Sequence, residues 1–162
     1  MKAAYLLIGG NLGDRLGFMA AAREKMQQKG IEILRRSSVY ETAAWGNTNQ
    51  PSFLNQVLEI TTSFSPEDLL TELLSIEQSL GRIRAEKNGA RTIDIDILYF
   101  ESEIISKPGI SIPHDRISIR RFVLVPLTEL IPDFIDPKTS KSIVEMLNNC
   151  QDTLEVTIYE KN

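Results

Sequence analysis

At 162 residues with 42% hydrophobic and 25% charged side chains, the chain is long enough to enclose a core without metal or disulfide staples, and one domain over residues 1–162 is the expectation. The composition excludes fibrous, disordered and membrane classes, and a net charge of −4 argues against a general nucleic-acid binder, which would normally be basic. The single cysteine, Cys150, has no internal disulfide partner and no run approaches the roughly 18 apolar residues of a membrane span, so a cytoplasmic protein with no membrane and no nucleic-acid partner is expected.

In chain order, Tyr5–Ile8 predicts a first strand running into the turn cluster Gly10-Asn11-Leu12-Gly13-Asp14, where Asp14 caps a helix that ends at Gly30. Ile31, Ile33, Val39 and Tyr40 read as a second strand broken at residues 35–38, followed by a polar loop to Ser52. Phe53–Thr62 resumes strand character. Ser65-Pro66-Glu67-Asp68 is a strong helix start, with a capping serine, proline at the first helical position and acids facing the positive helix end. Leu69, Leu70, Leu73, Leu74, Ile76 and Leu80 supply its apolar stripe and Gly81 its end. Thr92–Phe100 is the next strand, with a hairpin expected through Glu101-Ser102 to Ile105; Pro108 and Pro113 then break regular structure. The apolar stretch Phe122–Leu130 is a short helix or a buried strand, which periodicity alone does not separate. This order matches an α+β fold: a ferredoxin-like core with helices packed on one face of a mainly antiparallel sheet.

The sharpest chemical feature is Arg91-Thr92-Ile93-Asp94-Ile95-Asp96-Ile97-Leu98. Alternation along a strand puts Asp94 and Asp96 on one face, with Cα atoms about 6.6 Å apart, from which two carboxylates converge on one magnesium or bridge two. The plainer reading is a half-exposed strand that carries two acids on its wet face. Like charges at adjacent positions repel, however, so a cation or nearby arginines are wanted. Arg82, Arg84, Arg91, Arg116, Arg120 and Arg121 supply them: residues 82–121 hold eight Lys or Arg against six Asp or Glu in a chain that is acidic overall. Guanidinium forks suit phosphate oxygens. No Walker or kinase-type glycine loop is present, and the single histidine, His114, rules out a multi-histidine metal centre. Glu77 falls near the apolar stripe and needs either a partner or a lean towards solvent. Asn55, an unusual strand residue, is a candidate amide reader of a heteroaromatic ring, while Trp45, Phe53 and Phe122 taken singly read as core aromatics.

Taken together, these residues resemble the 6-hydroxymethyl-7,8-dihydropterin pyrophosphokinase family over essentially the whole chain. The resemblance is carried by Arg82-Ile83-Arg84, Gly89–Leu98, Gly9–Arg15, Tyr40-Glu41-Thr42, Phe53-Leu54-Asn55, Pro113-His114 and Arg121–Leu127. It implies a folate-synthesis diphosphokinase that moves the diphosphate of ATP onto the pterin hydroxyl by direct attack on the β-phosphorus, releasing AMP. It further implies that Asp94 and Asp96 hold two Mg²⁺ ions, with Arg82 and Arg91 catalytic. Leu70, Glu77, Arg84, Arg91, Ile97, Ser111, His114 and Arg120 would contact ATP. Thr42, Ala43, Trp45, Phe53, Asn55 and Phe122 would hold the pterin, and the loops around 43–52 and 82–91 would close over both substrates. ATP and the pterin are the expected partners, and a monomer the expected state. Against the family pattern, Asn88 stands where some members carry tryptophan, Gly10 replaces a usual serine, Ala43-Ala44 replaces a common proline, and Gly109 and Asp115 depart near the ATP side. Read from residues alone, the rivals are a non-catalytic ferredoxin-like binding module and a two-metal phosphodiester hydrolase.

Overall fold

The computed structural model describes residues 1–43, 49–81 and 91–162; Trp45, Arg82 and Arg84, with the Ala44 and Asn88 departures, lie outside the described residues. The elements are β1 (Lys2–Gly10), α1 (Arg15–Gln28), β2 (Glu32–Arg36), β3 (Val39–Thr42), β4 (Phe53–Thr62), α2 (Pro66–Ser79), β5 (Asp94–Phe100), β6 (Ile105–Lys107), β7 (Ile110–Ile112), a 3₁₀ turn at Ile117–Ile119, α3 (Arg121–Leu130), α4 (Ile143–Asn148) and β8 (Thr157–Glu160).

The main sheet runs β5-β1-β4-β3-β8, with β2 on the other half of β4, and every pair is antiparallel. Two strands can share β4 because Ser37 and Ser38 interrupt the ladder. The Ser37 hydroxyl accepts the Val57 N–H at 2.9 Å, and the Ser37 N–H donates to the Val57 carbonyl at 2.9 Å. The break is narrower than the four residues expected: Arg35 and Arg36 belong to β2, where Arg35 sits opposite Glu59 and ion-pairs with it at 2.8 Å.

Strand alternation divides the molecule into two cores. Ala4, Leu6 and Ile8 of β1, Leu54, Leu58 and Ile60 of β4, and Ile93, Ile95 and Ile97 pack under α1 and α2. The helices turn Met19, Ala22 and Met26, and Leu69, Leu73 and Ile76, towards them. Both helix starts are as read from sequence: Asp14 accepts the Gly17 N–H, and Ser65 the Asp68 N–H. On the opposite face Leu7, Val57 and Tyr99 meet Val123, Leu124 and Leu127 of α3 and Ile143 and Met146 of α4. The ferredoxin-like core is therefore covered on both faces rather than one, and the ambiguous segment after Arg120 is helical, with Pro126 inside it.

The expected hairpin from residue 100 to 105 is not formed. β6 pairs instead with β7, Ile105 opposite Ile112, in a separate two-stranded sheet, because Pro108-Gly109 supplies the tighter turn, with Gly109 at φ +82°. β5 also begins at Asp94 rather than Thr92. A bulge sits at Leu98, where Tyr5 pairs with Tyr99 but Leu6 with Ile97. It puts Tyr99 on the same face as Asp94 and Asp96 despite the odd spacing. Among the described residues no helix is long and apolar enough to cross a membrane.

Candidate active site

The three central strands compose the floor of the site. Gly9 of β1 stands opposite Asn55 of β4 on one side and Asp94 of β5 on the other; one step along, Leu7 lies between Val57 and Asp96. Gly9 leaves the row open. A Cβ there would come within 2.2 Å of the Leu54 carbonyl oxygen and 2.4 Å of the Asn55 Oδ1, so any side chain would displace the Asn55 amide.

Over this floor lies a pocket walled by Thr42, Ala43, Phe53, Asn55, Phe122, Arg91, Arg120, Asp94 and Asp96. Each aromatic wall carries a guanidinium: Arg91 Cζ is 5.4 Å from the Phe53 ring centroid, and Arg120 Cζ is 5.6 Å from that of Phe122. Arg91 also donates to Asp94 Oδ2 at 3.2 Å. Of the residues expected around the pterin, every described one is in this pocket. A second pocket opens between β5 and the β6–β7 hairpin, lined by Leu70, Ile97, Ser111 and His114, all expected, together with Lys107 and Gly109. Arg120 lies in the first pocket, not the second, because it immediately precedes α3, which covers that face of the sheet. Asp96 lines both, so the pockets adjoin at this residue.

Burial, then the neighbouring Asp94 and Glu77 charges, pushes the Asp96 carboxyl up to about 7, while Arg120 and Arg91 pull it down. Glu77 is buried, and its Oε2 accepts the Ile95 N–H at 2.7 Å. It thus reaches the backbone between the two aspartates, a partner that helix periodicity could not reveal. His114 is held below its ordinary value by burial and by Arg120. Its Nδ1 accepts the Arg116 N–H at 3.3 Å, which leaves Nε2 to carry the proton of the neutral ring.

Asn11 is a component that the sequence reading passed over as turn material. Almost fully buried, it donates from Nδ2 to Gln50 Oε1 and to the Pro51 carbonyl, both at 3.0 Å, and its Oδ1 accepts the Arg91 N–H at 2.9 Å. One amide therefore joins the foot of the 43–52 loop to the arginine that opens the acidic strand. A polar residue directly after a buried strand was the available signal. Lys107 was missed because the hairpin that presents it was misplaced.

An open antiparallel sheet whose paired aspartates stand among guanidiniums, with a pocket on either side, defines an α+β enzyme of the phosphoryl-transfer class. The sequence model of the 7,8-dihydro-6-hydroxymethylpterin-pyrophosphokinase family matches residues 5–132. The chain is 40% identical over 145 residues to the 2-amino-4-hydroxy-6-hydroxymethyldihydropteridine pyrophosphokinase of Aquifex aeolicus, covering 90% of each chain. It is also 40% identical over 151 residues to a folic acid synthesis protein of Pneumocystis carinii, covering 93% of this chain but only 20% of that one. Among solved structures, a Plasmodium falciparum HPPK-DHPS chain crystallised with pteroate superposes with a TM-score of 0.73 at 16% identity, over 91% of this chain and 42% of the other, a likeness of fold. This chain thus spans about a fifth of the fungal relative and under half of the Plasmodium chain. It belongs to the 7,8-dihydro-6-hydroxymethylpterin-pyrophosphokinase family.

Proposed function

We propose that the chain transfers the diphosphate of ATP to 6-hydroxymethyl-7,8-dihydropterin, a step of folate synthesis, and that residues 1–162 form one catalytic domain. The observation that carries this reading is the position of Asp96 in the wall of both pockets. A donor in the hairpin pocket and an acceptor in the sheet-face pocket would meet at this carboxylate and Asp94.

Phe53 and Phe122 offer apolar faces to a flat heterocycle, and Asn55 and the backbone at Thr42 and Ala43 read its polar edge. The open space at Gly9 lets Asn55 adopt that pose. On the donor side Leu70 and Ile97 provide apolar surface for a nucleoside, with the Nε2–H of His114 as a hydrogen-bond donor and the Ser111 hydroxyl, whose proton goes to Asp115 Oδ1 at 2.6 Å, as an acceptor. Arg91 and Arg120 face the negative charge that spreads over the phosphoryl oxygens as the bond breaks. The pterin oxygen forms a bond to the β-phosphorus, the bond from that phosphorus to its bridging oxygen breaks, and AMP leaves with that oxygen. The hydroxyl proton is released as the new bond forms.

Magnesium is the metal this family implies, and the donor set fits it. Asp94 and Asp96 are hard oxygen ligands on one face, and the mutual repulsion of Asp94, Asp96 and Glu77, which adds to burial in raising Asp96, is of the kind a divalent cation relieves. Ions held by Asp94 and Asp96 would complete their ligand sets with phosphate oxygens and water. Bound there, magnesium supplies charge neutralisation and alignment of the triphosphate.

Phosphorus NMR and mass spectrometry of a reaction containing protein, ATP, magnesium and the pterin test the proposal. AMP with a pterin diphosphate is the expected outcome; ADP with a pterin monophosphate, or no pterin-dependent turnover, would refute it.

A further inference from the structure

Beneath α1, on the face of the sheet opposite Asp94 and Asp96, lies a concavity bounded by α1, the β2–β3 junction, β4 and the segment after β8. Its walls carry three cationic side chains, Arg23, Arg36 and Lys161, against one carboxylate side chain, Glu160. Arg23 is half-buried. Its hydrogen bond, at 2.8 Å, runs to the neutral Oε1 of Gln56, whose amide nitrogen is itself committed to the Ser37 carbonyl at 2.8 Å. By contrast Arg15 and Arg35 each close on a carboxylate, at 3.0 and 2.8 Å. The fold brings Arg23 of α1 and Arg36 at the end of β2 to one hollow.

A half-buried guanidinium whose hydrogen bond runs to a neutral amide, with Glu160 as its opposing charge, has lost hydration for little compensation. The charges around it deepen that deficit. Burial and the neighbouring Arg36 both hold the Arg23 guanidinium below its ordinary value, and Glu160 opposes them less strongly. Two like charges converging on a concavity of about 790 Å³, which includes space open to solvent, cost free energy that an oxyanion between them would return. A fork of planar N–H donors suits a tetrahedral oxyanion better than a lone halide.

We infer that this hollow is a second anion site, taking a phosphate-type oxyanion between Arg23, Arg36 and Lys161. The sheet separates it from the first pocket, and the width of β1 and β4 separates it from the second, which opens at the β5 edge; it involves none of the residues proposed for transfer. Gln56 fixes the Arg23 guanidinium at its inner wall, while the exposed Arg36 and Lys161 form the mouth.

The test is a titration of the full chain with inorganic phosphate at constant ionic strength, balanced with chloride, followed by NMR of the arginine Nε–H groups. Saturable shifts of Arg23 and Arg36 are expected at millimolar phosphate. Arg23→Gln with Arg36→Gln should remove the saturable response from the Gln56 amide while responses near Arg91 and Arg120 persist. Should the double variant not fold, Arg36→Gln alone, at an exposed position, should weaken the response at Arg23 at least threefold. Shifts reproduced by chloride alone, shifts that persist at Gln56 in the folded variant, or no shift of Arg23 at all would overturn the assignment.

Discussion

At the scale of single residues, the site concentrates unfavourable terms that the remainder of the fold must offset. Asp96 is the clearest case. Burial and the Asp94 and Glu77 charges push its folded carboxyl up to about 7, well above the usual carboxylate range, so the native state holds the proton more tightly than the unfolded chain. Stability of the metal-free protein is therefore expected to fall as pH rises from about 4 to about 7, and to change little with this group above that window. Asp96→Asn should flatten the slope and stabilise the metal-free protein at pH 8 by on the order of 2 kcal/mol. Urea unfolding in a chelator across pH measures both effects, and equal slopes for the two proteins would contradict the assignment. Gly9 carries a constraint of a different kind. Since the nearest atom to a Cβ would be the Leu54 backbone oxygen at 2.2 Å, Gly9→Ala should cost about 1–3 kcal/mol. It should also raise the KM for the pterin more than that for ATP, because the other close atom is the Asn55 Oδ1. Steady-state kinetics with each substrate varied in turn checks it, and an unchanged ratio of the two KM values would refute it. The two acids and Asn55 were legible from sequence because they are costly choices in a strand. Gly9 and Asn11 were not, since their value lies in cross-strand neighbours that only the register reveals.

Among the elements, those with strong local signals were legible nearly to the residue. Phe53–Thr62 coincides with β4, and Ser65-Pro66 opens α2 with the Ser65 hydroxyl accepting the Asp68 N–H at 3.1 Å. Ser65→Ala should lower stability by about 1 kcal/mol without changing turnover, as thermal unfolding and initial rates would show. The elements that escaped notice are short or lack a buried face. β6 and β7 have three residues each, every residue of β8 is exposed, and α4 has only six residues despite its Ser142–Glu145 capping box. No periodicity can establish itself over such lengths. The long connection after α3 is anchored instead by a polar lock: Tyr99 donates to Asp136 Oδ2 at 2.6 Å, while Asp136 Oδ1 accepts the Lys138 and Thr139 N–H groups. Tyr99→Phe would leave a buried carboxylate oxygen without its donor, at a cost of about 1–3 kcal/mol. Chemical denaturation measures this, and a neutral substitution would contradict the lock.

On the scale of the whole molecule, one sheet serves two purposes through alternation. Its even-numbered β1 and β4 residues build the core under α1 and α2, while Gly9, Asn55, Asp94 and Asp96 face the pocket on the other side. The ferredoxin-like class was readable because the order of elements constrains topology, and strand identity then placed both acids on one face. That α3 and α4 would cover part of that same face was not readable, because a short apolar run serves equally as strand or helix. The proposal as a whole stands on the meeting of two pockets at Asp96, which a comparison of binding with chemistry probes most directly. Pterin and ATP would be pre-bound to wild type and to Asp96→Asn, and transfer followed through a single turnover. Pterin affinity preserved within about threefold with transfer slowed by at least about 10³-fold is the predicted result, the difference being stabilisation made only as the phosphoryl group moves. A folded variant that transfers at a comparable rate would contradict the account.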